Sequence, residues 1–379
     1  MKNPLTAKRV LFVFDCLELG GAERQALLLA AHMKDVLGME VSVLGLSETE
    51  GEITRLCRIG GITSRGVPCN LRGTKSELLK TLARALVACR SFEPDLLLPF
   101  TSRPNIVSGL IWRLTGAKTC VWNQRDEGRG LDDRLSCRLA VRLSPNFISN
   151  SLAGRDILVR KYGVEEGRVN IIANGVVLPA PFKSRSEWRR DLGIVDDCLL
   201  VCMVANLHFF KDHATLIRAW RRVLDALRGN REAMLVLPGR FSGAEHELQA
   251  LVSELGIEER VRFLGKLDDV SGLLRASDLY VHSSHTEGVP NAILEAMAAG
   301  LPVVATDIAG NREAVGPEGT DGLVPVRDPD AMAAKIVEFS EDRGLSDRVG
   351  RELRERAEKR FSTSEMIGAT VRLLESLQS

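Results

Sequence analysis

One stretch of the sequence gathers side chains suited to binding chemistry: Leu279-Tyr-Val-His-Ser-Ser-His-Thr-Glu-Gly-Val-Pro-Asn-Ala-Ile-Leu-Glu-Ala-Met-Ala-Ala-Gly300. An apolar run fit for a strand ends in a polar turn, and a helix is predicted to start near Pro290, whose fixed φ suits a first helical turn. The N–H groups of Val289, Asn291 and Ala292 then point out of a helix N-terminus at the carboxyl end of a strand, where α/β sheets bind phosphates. A diphosphate fits there. Glu287 and Gly288 lie in the turn, and Glu295 follows Asn291 by about one helical turn, so two carboxylates flank the anion site and can accept hydrogen bonds from sugar hydroxyls. The alternative for a bare Glu-x7-Glu is that Glu287 caps the helix and Glu295 faces solvent.

The elements around this stretch form a repeating order. A chain of 379 residues exceeds one ordinary core, so two domains are expected. Apolar content of 45% and charged content of 27% are those of packed domains, and 33 glycines point to an α/β architecture with many tight turns. Strands are predicted over 10–15, 41–46, 95–99, 119–122, 146–149 and 169–172. Between them lie helical patterns such as 22–33, where Ala26, Leu29, Ala30 and Met33 share a face, 75–89 and 131–143. Asn174-Gly175 followed by Pro179 and Pro181 breaks the pattern as a linker does. Alternation restarts with strands over 199–204, 234–237, 261–264, 279–282, 302–305 and 323–326. Charged helical sequence over 328–360 leads to a last amphipathic helix, 365–377. Domains of 1–178 and 179–360 are therefore expected.

Several function classes are excluded. A net charge of +1 gives no global attraction for nucleic acid. The eight cysteines are scattered, with Cys198 and Cys202 the closest pair, so neither a zinc site nor a disulfide framework is expected and a reducing, cytoplasmic compartment fits. Lys2, Lys8 and Arg9 precede an apolar run that stops at Asp15, which reads as a buried strand and not a signal peptide. No apolar segment approaches the ~20 residues of a membrane span, so any membrane contact is peripheral. Asp328-Pro329-Asp330, the one Asp-x-Asp, opens a helix as a cap would; no metal is expected.

Five marks in order carry a resemblance: Gly20-Gly21-Ala22-Glu23-Arg24 after the first strand, Asn174-Gly175-Val176 before the linker, and Val204-Ala205-Asn206-Leu207-His208-Phe209-Phe210-Lys211-Asp212-His213. The segment from Glu287 to Glu295 and Gly310-Asn311-Arg312-Glu313 complete it. Over nearly its whole length the sequence resembles the retaining glycosyltransferases of family 4, which include mannosyl-, glucosyl- and N-acetylhexosaminyltransferases. The resemblance implies the GT-B fold, two Rossmann-like domains facing a cleft, with residues 361–379 crossing back to the first domain. It also implies an enzyme that moves a sugar from a nucleotide-sugar donor to a glycan or lipid-linked acceptor with retention, in surface polysaccharide or lipopolysaccharide biosynthesis, with no cofactor.

Residue by residue, the resemblance gives Gly20 and Gly21 a backbone approach to the donor diphosphate, which a Cβ would obstruct. Lys211 neutralises that diphosphate; Asn206 stands where the family often has a second cation, and His208 is a substitute. Glu295 takes the ribose hydroxyls, Glu287 the donor sugar, and the backbone of Gly265, Lys266 and Leu267 the base, with UDP the commonest choice. The family's histidine after a first-domain strand is absent: Asn123 or Arg125 occupies its place, and neither is a general base at neutral pH. The departing phosphate oxygen can then accept the acceptor's proton on the same face. Asp126 either orients an acceptor hydroxyl or pairs with Arg129. The stripe Arg134, Arg138, Arg142 reads as a solvated face or as a contact for anionic lipid or a lipid-linked diphosphate. The competing expectations are a nucleotide-sugar epimerase on the same scaffold and a non-catalytic relative; a dinucleotide oxidoreductase is disfavoured because Leu19-Gly20-Gly21-Ala22 is no Gly-x-Gly-x-x-Gly fingerprint.

Overall fold

A computed structural model describes residues 7–71, 74–128 and 130–377. The chain divides into two compact units: unit 1 runs to Gly175 and resumes at Thr363, and unit 2 is Val176–Ser362.

Unit 1 alternates β1 (Arg9–Phe14), α1 (Gly21–Asp35), β2 (Glu40–Gly45), α2 (Glu52–Ile59), β3 (Thr63–Gly66), α3 (Lys75–Arg90), β4 (Leu96–Pro99), α4 (Ser102–Thr115), β5 (Thr119–Gln124), α5 (Leu135–Leu143), β6 (Asn146–Ser149), α6 (Leu152–Asp156) and β7 (Val169–Ile171). Unit 2 continues with α7 (Arg185–Asp191), β8 (Leu199–Cys202), α8 (His213–Ala226), β9 (Ala233–Pro238), α9 (Glu245–Glu254), β10 (Val261–Gly265), α10 (Val270–Ala276), β11 (Leu279–His282), α11 (Asn291–Ala298), β12 (Val303–Thr306), α12 (Ala309–Val315), β13 (Leu323–Val324), α13 (Pro329–Glu341) and α14 (Arg343–Arg360). The last helix, α15 (Thr363–Ser376), belongs to unit 1 and puts Met366 and Leu374 into one core cluster with Phe12, Phe14, Ala26 and Ala30.

Both sheets are parallel throughout: β3-β2-β1-β4-β5-β6-β7 in unit 1 and β10-β9-β8-β11-β12-β13 in unit 2. Parallel pairing needs a crossover between strands, which the helices supply while covering both faces. Central strands therefore read as unbroken apolar runs: Val10 to Phe14 and Leu96 to Leu98 are all buried. The expected fold class, two Rossmann-like sheets, is what the chain forms.

Three differences from the sequence reading have physical causes. β3, Thr-Ser-Arg-Gly, was not predicted because an edge strand pairs on one side only and needs no apolar residues; its Thr63 to Gly66 pair with Ser42 to Gly45. The stretch 328–360 is two helices, because Asp342 leaves helical geometry (φ −95°, ψ 88°) and its carboxylate accepts from Leu345 N–H at 2.9 Å. The predicted helix over 131–143 begins at Leu135, so Arg134 stands at its cap.

In each sheet the strand order reverses once, where β1 neighbours β4 and where β8 neighbours β11. The crossovers run to opposite faces from such a pair and leave a crevice outside the carboxyl ends. Segments that follow β1, β4, β8 and β11 are thereby brought to these crevices.

Candidate active site

In unit 2 the segments after β8 and β11 meet. A short helical turn, Phe209–Lys211, ends at Asp212, whose left-handed backbone (φ 47°) starts α8. The Asp212 carboxylate accepts from Thr215 Oγ1 at 2.7 Å and lies 2.7 Å from His285 Nε2, and Ser283 Oγ donates to the Lys211 carbonyl at 2.9 Å. These bonds hold the Lys211 turn against the segment after β11, and the Lys211 ammonium pairs with Glu287 Oε1. Glu287 is 8% exposed. Ser284 Oγ donates to the same Oε1 at 2.7 Å and His282 Nε2 stands 3.2 Å from it. Burial by itself pushes the Glu287 carboxyl up; Lys211 and His282 outweigh it and hold the group well below the usual carboxylate range.

The N-cap of α11 is Pro290, with extended backbone (φ −76°, ψ 122°) and no side-chain cap bond. Pro290 thus sits one place earlier than the first-turn position predicted for it, and the first turn belongs to Asn291 and Ala292. Ile293 and Leu294 N–H donate to the Pro290 carbonyl at 3.1 and 3.3 Å, and the N–H groups before them have no carbonyl one turn back in the helix. Val289 is buried; Asn291, Ala292 and Glu295 are half-buried, with Glu295 one turn beyond Asn291. The Gly310-Asn311 mark buttresses this turn. A Cβ on Gly310 would lie 1.8 Å from the Gly288 carbonyl oxygen, so only glycine lets α12 seat there. Asn311 Nδ2 donates to the Thr306 carbonyl at 2.8 Å, and Thr306 Oγ1 to the Ser284 carbonyl at 2.6 Å.

Asn206 is exposed, and its Oδ1 accepts from Arg240 N–H at 3.1 Å, which joins the loops after β8 and β9. His208 Nδ1 accepts from Phe210 N–H at 3.4 Å and its ring stacks on Phe210, so it serves its own turn. Gly265 ends β10 in the left-handed region (φ 63°) and its carbonyl accepts from Gly239 N–H at 2.8 Å; Leu267 is half-buried.

In unit 1, Gly20 is the N-cap of α1 and Gly21 its first residue, both exposed. Glu23, in the same turn, is pushed up by burial and by Asp15. At the end of β5, buried Asn123 donates through Nδ2 to the Pro99 carbonyl at 3.1 Å, and its Oδ1 accepts from Arg125, the first residue past the strand, at 3.2 Å. Arg125 also donates to Asn174 Oδ1 at 3.2 Å and lies 4.8 Å over the Phe100 ring; burial, opposed by Glu23, lowers it to about 10. Asp126 Oδ1 accepts from Gln124 Nε2 at 2.8 Å and from Gly128 N–H at 2.9 Å, while Arg129, its alternative partner, lies outside the described residues. Asp15, Thr101, Arg103, Asp126, Asp132 and Arg134 line a cavity of about 830 Å³. Arg134 pairs with Asp132 at 3.1 Å and Arg138 with Asp133 at 3.2 Å, whereas Leu110, Ile111 and Trp112 pack into the core.

The structure thus brings Lys211, Glu287 and the α11 N-terminus together in unit 2, and Asn123, Arg125 and Asp126 together in unit 1. Sequence reasoning missed His282, Ser284 and Tyr280, although the period-2 spacing of 280 and 282 on a strand carried the signal. Among the described residues no three His, Cys, Asp or Glu groups are placed to hold a metal ion, and no helix is long and apolar enough to cross a membrane.

Comparison with known proteins follows the same division. Residues 19–178 match Glycosyltransferase Family 4 and residues 184–359 match glycosyl transferases group 1. The D-inositol 3-phosphate glycosyltransferase of Streptomyces avermitilis is 33% identical over 228 residues, which cover 58% of this chain and 49% of that protein. The N-acetyl-alpha-D-glucosaminyl L-malate synthase of Bacillus anthracis is 28% identical over 186 residues, 49% of this chain and 47% of that protein. The chain spans about half the length of the curated relatives it matches. Among solved structures, Anabaena HepE in complex with UDP and glucose aligns over 97% of this chain and 100% of its own, with a TM-score of 0.84 at 23% identity. WaaG, a glycosyltransferase involved in lipopolysaccharide biosynthesis, aligns over 96% and 99% with a TM-score of 0.76 at 18% identity. With two family matches that together take in most of the sequence, and with both parallel sheets in place, the chain belongs to the group 1 glycosyltransferases of family 4 and has their GT-B fold.

Proposed function

We propose that this chain is a retaining glycosyltransferase that moves a sugar from a UDP-linked donor to a glycan or lipid-linked acceptor of a surface polysaccharide or lipopolysaccharide. The observation that carries the reading is the Lys211–Glu287 pair, set at the sheet's switch point beside the N-terminus of α11. In this reading the Lys211 ammonium and the first-turn N–H groups of α11 receive the diphosphate and stabilise the charge that grows as the sugar leaves. Glu287 accepts from a hydroxyl of the donor sugar, Glu295 from the ribose, and the backbone of Gly265 and Leu267 from the base. HepE, whose structure holds UDP, supports the choice of UDP.

Asn123 cannot titrate and Arg125 stays charged at neutral pH, so neither takes the acceptor's proton. That proton goes to the departing phosphate oxygen on the same face of the sugar, which yields retention without a covalent enzyme intermediate. The cavity holding Asp126 is the acceptor side, with Asp126 orienting a hydroxyl. Leu135 and Leu139 are 79% and 42% exposed between Arg134, Arg138 and Arg142, a pattern suited to an anionic membrane surface at which a lipid-linked acceptor would be met.

A thermal-shift screen with UDP-, GDP- and dTDP-sugars tests the donor: UDP-sugars should stabilise the protein preferentially. NMR of the product from an α-linked donor should then show an α-linkage, and a β-linkage refutes retention. Acceptor-independent formation of an isomeric sugar nucleotide would establish the epimerase instead.

A further inference from the structure

Behind the Lys211–Glu287 pair stands a chain of buried polar groups that the transfer reaction leaves without a task. Tyr280 and His282 share a face of β11, and both are 0% exposed. Tyr280 OH lies 3.1 Å from His282 Nδ1, and His282 Nε2 lies 3.2 Å from Glu287 Oε1 and 3.0 Å from Ser284 Oγ. An imidazole so deep in an apolar sheet invites replacement by leucine unless its two nitrogens have work. With Tyr280 OH donating to Nδ1, the neutral ring keeps its proton on Nε2, aimed at Glu287. His282 is held low by burial first, with Glu287 opposing and Lys211 reinforcing.

That balance depends on where the Lys211 ammonium is. A diphosphate beside α11 competes with Glu287 for it. A carboxylate 8% exposed that loses its ammonium partner is stabilised by another cation or must itself take a proton. We propose that His282 is a positioning residue: as a nucleotide sugar draws Lys211 away, its ring takes one proton from solvent and becomes the cation that keeps Glu287 ionised and turned toward the donor sugar. In the charged ring Nδ1–H donates to the Tyr280 oxygen, whose own O–H then donates to the Val204 carbonyl, 3.5 Å away.

The groups around the ring leave this assignment to His282. Glu287 faces it from the turn after β11, Lys211 from the turn after β8 and His213 from α8. Burial, then His282 and Lys211, lower His213 to about 3, and neither of its ring nitrogens has a hydrogen-bond partner among the described residues, so it stays neutral throughout. Cys202 on β8 and Glu295 on α11 act on Tyr280, one step further off.

The inference rests on the donor-site reading, and one experiment separates the two. UDP-glucose is titrated calorimetrically into the full chain at pH 7.5 in buffers of different ionisation enthalpy. Wild type should take up protons on binding, to a limit of about one per ligand. His282→Gln, which keeps an N–H for Glu287 but cannot titrate, should bind UDP-glucose without that uptake. Tyr280→Phe removes the acceptor for the charged ring, so it should move the uptake to lower pH. Binding by wild type with no proton uptake, equal uptake in His282→Gln, or an unmoved profile in Tyr280→Phe each overturns the proposal while leaving the donor site standing. No UDP-glucose binding by wild type overturns both.

Discussion

The turn after β11 and the loop after β5 both close the carboxyl end of a parallel strand, yet they are built from opposite materials. The first buries charge: Lys211 and His282 face the buried Glu287 carboxylate and together set its ionisation. The second is braced by amides, Asn123 and Asn174, with one arginine laid across Phe100 and no carboxylate in contact with it among its described bonds. A site of the first kind responds to ligand charge, because moving one ion changes its neighbours. A site of the second kind holds shape. In the function proposed above, the contrast gives electrostatic work to unit 2 and positioning to unit 1.

The largest expected effect tests the charged half. Lys211→Ala should lower kcat/KM by roughly 10²–10³, the cost of losing one preorganised group at developing charge. It should also lower stability at neutral pH, since it strands the Glu287 carboxylate. Because that carboxyl is depressed in the folded protein relative to about 4.3 unfolded, the pair's stabilisation is complete above that value and fades as pH falls toward the folded value. Denaturant midpoints of wild type and Lys211→Ala should therefore start to converge only below about pH 4 and draw closer as pH falls further; parallel curves would show that the pair contributes nothing.

Next comes the braced half. Arg125→Ala should cost roughly 1.5–3 kcal/mol of stability through its charged hydrogen bonds, read from urea unfolding, while donor affinity by calorimetry stays near wild type. A loss of UDP-sugar binding without a loss of stability would erase the contrast. A smaller change is expected of Asp126→Asn, because the amide oxygen can still accept from Gln124 and Gly128. Activity should fall by less than about tenfold, short of the 10² or more that removal of a general base produces. A drop of that larger size in steady-state kinetics would make Asp126 the base and retention untenable. The smallest effect is none at all: turnover in EDTA should match turnover in buffer, and restoration by magnesium or manganese after a loss would place a metal at the diphosphate.

Much of the fold was legible because its signals are local. Apolar runs separated by helical periods, the Gly20-Gly21 turn and the Asp328 cap each lie within a few residues of what they organise, and the Asp328 carboxylate does accept from Ala331 N–H at 2.9 Å. The run from Leu279 to Gly300 marked its own strand, turn and helix for the same reason. Other features were invisible because their cause lies elsewhere in the chain. β3 is a strand only because β2 offers it an edge. Arg125 reads in the sequence as a stand-in for a missing histidine, but its bonds to Asn123 and Asn174 show a clamp between the ends of separate segments. Lys211 and Glu287 are 76 residues apart, and no spacing rule joins them; the reversal of strand order between β8 and β11 does. His282 is one more polar residue on a strand until the sheet buries it and the turn after it sets a carboxylate against its ring. Composition and period determined the elements, since those depend on neighbours along the chain. Which charges share one buried turn was decided by the tertiary structure alone, because desolvation and long-range pairing exist only once the sheet has closed around them.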